Sequence, residues 1–466
     1  MNSFPDQAGA SAEPPDRITV IANAAQVGDF LNQLIHPDRG RPYRLRPAQV
    51  AIRRLLERIG NPQQDLKIIH IAGSKGKGTT ALLTEAILTQ TGRRVGTFTS
   101  PHLQDWRERF RLDGRTVDEP RFVAAFERLR PEVGDLQMRH PDTPLGFFDV
   151  ATAAALLLFK EAGVDYAIVE AGLGGLLDAT NIVQPCVTCI TQVDLEHTEQ
   201  LGHTIAAIAR HKAGIIKPGV PVIVGALPPS ATQVITDQAA RVQAPLVRLN
   251  RTVRLRTQIR RDLGTDLWFN GVDLEIHARL PMPGRHLARN AALAIACVQQ
   301  LGFEPDALRQ AIPPALAHAR LPGRSEILCR QPWVLVDAAH TRQSVRALAD
   351  VVNRLPAQRK HLLLGLCQDK RPALLGPALL AAFDSITVTR ADSPRAWPPE
   401  SLADALRSLP ASSPAGSSRI RAIADPCLAA QTLHACLTAD DLLCVAGSVY
   451  LAGALRPLLN RLCAMH

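Results

Sequence analysis

The chain has 466 residues, 46% of them hydrophobic and only 4% aromatic, which excludes a disordered or fibrous protein and makes two or three globular domains the expectation. The formal charge of +10 points to anionic partners, either nucleic acid or small acidic and phosphorylated molecules. No window reaches the ~20 apolar residues of a membrane span, and residues 1–18, polar and proline-rich, hold no apolar export segment, so no membrane role and a cytoplasmic location are expected.

Residues 1–18 read as a disordered tail. From there short β-branched runs alternate with helical patterns, the signature of an α/β fold with a parallel sheet. "LKIIHIAG" reads as a strand, "TTALLTEAILTQTG" as a helix closing on Gly92, and "RRVGTFTS" as a strand. "FDVATAAALLLFKEAG" is helical, "DYAIVEAG" and "PCVTCITQV" are strands, "TIAAIARHKAG" is a helix ending at Gly214, and "VPVIVGA" is a strand. Cys186 and Cys189 spell C-x-x-C inside a buried-strand pattern with no second pair nearby, which favours core cysteines over a zinc site. The nine scattered cysteines suit a reducing compartment.

Between Arg248 and Leu280 the pattern becomes strands without intervening helices, an antiparallel excursion. The arginines of "RLNRTVRLRTQIRRD" alternate with apolar residues and lack aromatics, as in a strand with one solvated face rather than a nucleic-acid patch. A helix follows at "ARNAALAIACVQQLG". Strand–helix alternation restarts after "RLPGRSEIL" with "PWVLVDAAH", "TRQSVRALADVVNRL" and "KHLLLGLCQ", and continues in "DSITVTR" and "DLLCVAGS". The expected domains are 19–317 and 318–466, with "LPASSPAGSS" as a surface loop in the second.

The chemistry concentrates in "AGSKGKGTT". A strand delivers the chain to glycines whose backbone N–H groups can face one anion, and a helix N-terminus follows. In the common phosphate-binding loop Gly-Lys stands directly before Ser or Thr; here Gly78 separates Lys77 from Thr79. Gly73, Ser74, Lys75, Gly76, Lys77, Gly78, Thr79 and Thr80 are the candidate phosphate cradle, with Thr79 or Thr80 as a magnesium ligand. The plain alternative is a strand-to-helix turn with solvated lysines. Ligands in open parallel sheets sit beyond the carboxyl ends of strands, and two more such ends carry Glu170 and, in "TQVDLEHTEQLG", Glu196 and His197.

Taken together, the loop, "TSPHL" with "ERFR", "GLGGLLDATN", "HTEQLG", "HKAGIIKPG", "GRHLARNAALA", "LPGRSE", "VDAAH" and "TRADSPRAWPPE" resemble the folylpolyglutamate synthase/dihydrofolate synthase family of Mur-type ATP-dependent amide ligases, from about residue 28 onward. The glycine between lysine and hydroxyl is that family's own spelling. The resemblance implies a P-loop-like N-terminal domain and a smaller Rossmann-like C-terminal domain, with ATP and Mg2+ as cofactors. It implies transfer of the γ-phosphoryl group to a folate or dihydropteroate carboxylate, then attack by the amino group of L-glutamate, in a monomer. Lys77, His197 and Lys212 take catalytic positions. Thr79, Glu170, His197 and Lys212 take metal positions, the last as a carbamylated lysine. Asn290, Arg324 and Asp337 match ATP-contacting positions, with His340 beside them.

This chain departs from the common family pattern at several places. Lys75 and Thr341 stand where asparagine is usual, and Asp194 and Glu196 where glycine and aspartate are usual. Leu176 replaces a frequent arginine, Leu287 a glutamine, Ala338 a glycine and Asp149 a glutamate. The competing readings are a Mur-type ligase acting on another carboxylate, a nucleotide-binding paralogue without ligase activity, and, last, a nucleic-acid binder.

Overall fold

The computed structural model describes residues 20–35, 49–391, 393, 395–409 and 419–464; the expected tail at 1–18 and residues 410–418 of the expected surface loop lie outside them. The fold is α/β, in two units built on mixed, mainly parallel sheets. The first sheet comprises β1 (Ile68–Ala72), β2 (Val95–Phe98), β3 (Phe110–Leu112), β4 (Arg115–Thr116), β5 (Tyr166–Glu170), β6 (Pro185–Ile190), β7 (Val222–Val224) and β8 (Leu246–Arg248). Their order is β4-β3-β2-β5-β1-β6-β7-β8, antiparallel only at the β2/β3 and β3/β4 edge.

β1 runs between β5 and β6, and all five of its residues are buried. That is why it reads as an unbroken apolar run rather than an alternation: a central parallel strand is covered on both faces. Ile69 and Ile71 enter the core shared with helix Arg285–Gln299, while Ile68 enters the opposite core around helices Glu119–Arg139 and Phe147–Glu161. The single polar residue of the strand, His70, is fully buried and meets Thr180 Oγ1 at 2.9 Å.

The second sheet is the expected antiparallel excursion: β9 (Arg254–Ile259), β10 (Thr265–Asn270) and β11 (Glu275–Leu280). Along β9 the arginines are exposed and the intervening residues half-buried. An aromatic does lie against these arginines, from the neighbouring strand: Trp268 pairs with Arg256 across the sheet, 4.0 Å from guanidinium carbon to ring centre.

The third sheet holds β12 (Glu326–Arg330), β13 (Trp333–Val336), β14 (Lys360–Leu364), β15 (Ser385–Val388), β16 (Ile420–Ala422) and β17 (Leu442–Ala446), in the order β12-β13-β17-β14-β15-β16. Only the β12/β13 pair is antiparallel. The two large units touch where helix Val449–Cys463 lies on the segment after β2: Gln104 Nε2 donates to the Gly453 carbonyl at 2.7 Å. Among the described residues no helix is long and apolar enough to cross a membrane. All nine cysteines are free thiols; Cys189 is buried and Cys186 half-buried in β6.

Candidate functional site at the cleft between the sheets

A cleft of 2510 Å³ separates the carboxyl ends of the first sheet from the C-terminal unit. Its floor is the loop after β1. Gly76, at φ +85°, is the N-cap of helix Lys77–Gln90, and a β-carbon there would stand 2.5 Å from Asn290 Oδ1. Only glycine suits both the left-handed backbone and that neighbour, and Asn290 of helix Arg285–Gln299 is thereby seated against the loop. Ser74 is tied to the segment after β6: its N–H donates to the Gln192 carbonyl at 2.7 Å, and its hydroxyl accepts from Asp194 N–H at 2.9 Å. Thr191 Oγ1 donates to the Lys75 carbonyl at 2.7 Å.

Lys77 folds back so that Nζ donates to the Gly73 carbonyl at 3.0 Å and lies 3.8 Å from Glu170 Oε1. Glu170 ends β5 almost fully buried. Burial pushes its carboxyl up from the usual range, opposed by Lys77, by the Ser100 N–H donating to Oε2 at 3.0 Å, and by Arg324 and Arg109. The two threonines differ: Thr79 borders the cleft, whereas Thr80 is fully buried, its N–H on the Gly76 carbonyl and its hydroxyl without a partner.

Beyond β6, His197 sits at φ +46°, opening the short helix Thr198–Leu201 on the cleft wall. Its pKa is lowered, by partial burial first and then by Lys77, Lys75 and Lys370, with Glu196 opposing. Lys212, from helix Ile205–Ala213, is 1% exposed and donates to Glu196 Oε1 at 3.0 Å. Burial lowers its ammonium to about 8 in spite of that carboxylate. Lys75 is lowered to about 8 for the same reason and lies 3.8 Å from Glu196 Oε2.

The C-terminal unit contributes the opposite wall. Arg324 lies close enough to influence the charges of Lys75, Glu170 and His340. Asp337, at the end of β13, accepts from Ser325 N–H at 2.7 Å and Ala339 N–H at 2.8 Å, so it shapes its own turn while bordering the cleft. His340 Nδ1 donates to the Ala338 carbonyl at 2.7 Å, which fixes Nε2 as the unprotonated nitrogen; burial pushes its pKa down to about 3.

Lys75, Lys77, Thr79, Glu170, His197, Asn290, Arg324, Asp337 and His340 therefore border one cavity, while Thr80 and Lys212 lie behind its wall. Sequence reasoning missed Lys370, whose charge reaches Lys75, His197 and His340, because "CQDKRP" looks like an ordinary strand-end loop. It also missed Arg109. Arg109 as a residue is 7% exposed, and its guanidinium donates from Nε to His102 Nδ1 at 2.9 Å and packs 4.6 Å from the Trp106 ring. The signal available for Arg109 was its place in "ERFR" beside aromatics.

Among the described residues no three His, Cys, Asp or Glu side chains cluster to hold a metal. The donors present still fit magnesium, which takes hard oxygens, keeps several waters and borrows ligands from phosphates. The Thr79 hydroxyl and the Glu170 carboxylate are such donors, and Oε1 of that buried carboxylate has its nearest cation only at 3.8 Å.

Comparison with known proteins gives the following. Two family profiles match, the Mur ligase middle domain over residues 138–298 and the Mur ligase glutamate ligase domain over residues 323–449. The folylpolyglutamate synthase of Lacticaseibacillus casei is 32% identical over 410 residues, covering 86% of this chain and 92% of that protein. A Haloferax volcanii protein named "Probable bifunctional folylpolyglutamate synthase/dihydropteroate synthase" is 33% identical over 432 residues; the chain spans 49% of its length. The structure of Mycobacterium tuberculosis folylpolyglutamate synthase complexed with ADP and AMPPCP superposes with a TM-score of 0.83 at 32% identity, covering 94% of this chain and 98% of that one.

Proposed function

The chain belongs to the folylpolyglutamate synthase/dihydrofolate synthase family, and from that premise we propose that it is an ATP-dependent ligase joining L-glutamate to a folate or dihydropteroate carboxylate, with release of ADP and phosphate. The observation that supports this most is the meeting of Lys77, Thr79 and Glu170 from one sheet with Arg324 and His340 from the other around a single cleft.

A carboxylate is a poor electrophile until one oxygen becomes a leaving group. Phosphorylation supplies that, and it needs charge neutralisation and alignment more than covalent help from the protein. In this reading the loop N–H groups and Lys77 hold the β- and γ-phosphates, and Asn290 keeps Gly76 in place beneath them. Arg324 neutralises charge from the opposite wall, so the site is complete only when both units close on the nucleotide. Thr79, Glu170 and His197 would hold magnesium, which when bound screens the phosphate charge. Neutral His340 accepts a hydrogen bond through Nε2. Lys212 is the lysine that takes up carbon dioxide, which requires its nitrogen to leave Glu196. The amine of glutamate then attacks the acyl phosphate, the carbon–oxygen bond to phosphate breaks, and the amide forms.

The division at residues 317 and 318 belongs to this reading: helix Pro305–Ala317 ends there and the third sheet begins at Glu326. A monomer working in the cytoplasm on small-molecule substrates completes it. The test is phosphate release by purified protein supplied with ATP, magnesium, glutamate and either dihydropteroate or tetrahydrofolate. Release that needs both glutamate and one of these acceptors supports the ligase and identifies its substrate. Nucleotide binding without turnover on any acceptor would instead favour an inactive paralogue.

A further inference from the structure

Two departures from the family spelling, Lys75 and Glu196, are distant in sequence and meet in space. Glu196 bridges two lysines, and its contacts are unequal. Oε1 holds Lys212 Nζ at 3.0 Å, a hydrogen-bonded pair in which the lysine is 1% exposed. Oε2 stands 3.8 Å from Lys75 Nζ, too long for a hydrogen bond, and the Lys75 side chain is 28% exposed. The backbone of Lys75 is pinned by Thr191, so only its side chain is free to move.

The electrostatic setting explains why this loose contact exists. Lys77, Lys370 and Arg324 all lie near enough to disfavour the Lys75 charge, and Glu196 is the carboxylate that opposes them. Like charges gathered at a phosphate site repel until an anion arrives. Before nucleotide binds, such a gathering of cations calls for a resident anion, and Glu196 is placed to be one.

We propose that Glu196 is an internal stand-in for a nucleotide phosphate: it holds the Lys75 ammonium on its outer oxygen before nucleotide binds and yields it to the polyphosphate on binding, while Lys212, as long as it is an uncarbamylated amine, stays on the inner oxygen. The exchange is ionic, with no bond made or broken. It rests on the nucleotide reading above. Glu196 is then a positioning residue, and part of the attraction between loop and phosphate is spent on displacing it.

The experiment is calorimetric titration of ADP and a non-hydrolysable ATP analogue, with magnesium, into the wild-type chain, Glu196→Gln, Lys75→Asn and the double variant. Carbon-dioxide-depleted buffer keeps Lys212 an amine. Glu196→Gln should bind nucleotide about two- to fivefold more tightly, the range of a partly exposed ion pair. Lys75→Asn should bind more weakly, and the gain from Glu196→Gln should vanish in the Lys75→Asn background. A gain that survives there undiminished, or a loss of affinity in Glu196→Gln at an unchanged melting temperature, overturns the proposal. If Glu196→Gln melts early through release of Lys212, Glu196→Asp takes its place: its shorter carboxylate should loosen Lys75 and tighten nucleotide binding, and unchanged affinity overturns the proposal. No nucleotide binding by the wild type would remove the functional reading itself, whereas normal binding without coupling removes only this inference.

Discussion

A β-carbon on Gly78 would stand 3.1 Å from Glu170 Oε2, so the extra residue between lysine and threonine is the surface on which the buried carboxylate rests. Gly78 lies in the first turn of helix Lys77–Gln90, outside the left-handed region, and what it provides is space. The unusual spelling of the loop thus follows from the carboxylate at the end of β5.

Gly78→Ala separates stability from function. Alanine is the better helix former by about 1 kcal/mol, so the melting temperature should hold or rise. Turnover should fall about tenfold or more, because a carboxylate displaced by a fraction of an ångström misaligns the phosphate site. Differential scanning calorimetry beside a phosphate-release assay checks both halves; a variant as active as the wild type would show that Glu170 gives way without cost.

Lys77→Ala should reduce turnover about a hundredfold or more. It also removes the nearest cation from Glu170, whose carboxyl burial already pushes upward. Steady-state phosphate release is the measurement, and a near-normal rate contradicts the role assigned to Lys77.

Carbon dioxide reacts only with a neutral amine. Burial lowers Lys212 to about 8, so its neutral fraction grows as pH rises through that value. At equal dissolved carbon dioxide, supplied as bicarbonate adjusted for each pH, activity should therefore return to a carbon-dioxide-depleted preparation faster at pH 8.5 than at pH 7, the two values chosen to bracket about 8. Indifference to bicarbonate at both pH values would count against carbamylation.

Asp441, buried just ahead of β17, accepts from Thr438 N–H at 2.8 Å, from its hydroxyl at 2.8 Å and from Arg359 Nη2 at 2.7 Å. The Arg359 hydrogen bonds hold its carboxyl well below the usual carboxylate range. A depressed carboxyl stabilises the fold above its unfolded pKa, about 3.9, and that stability drains away as pH falls toward the folded value. Asp441→Asn should cost about 1–2 kcal/mol at neutral pH, the arginine being half exposed, and the deficit should shrink below about pH 4. Urea unfolding at neutral and acidic pH measures both.

The strands that carry the site were legible because burial on both faces makes them plain apolar runs: β1, β5, β6, β13 and β17 all sit where the alternation places them. Helix Glu119–Arg139 was not legible, since Pro131 interrupts its pattern and it survives through the packing of Phe122, Phe126, Leu129 and Val133. β3 and β4, three and two residues long, are too short to leave a period. At the site, the loop was readable from glycine and lysine spacing. The distinction between Thr79 and Thr80 was not, because it depends on which face of the helix the core covers. Nor was the bridge from Glu196 to two lysines, which no local spacing encodes.

Gly453 lies inside helix Val449–Cys463, where a β-carbon would stand 1.9 Å from the Leu103 carbonyl oxygen. The helix backbone of one unit thus rests directly on the other, at the joint where Gln104 binds the same glycine. A side chain at that position becomes a wedge, and its size a ruler for how far the halves stand apart. An activated acyl phosphate in a propped-open joint meets water before it meets an amine. On the proposed mechanism, the width of that seam would set how much ATP is spent without an amide being formed.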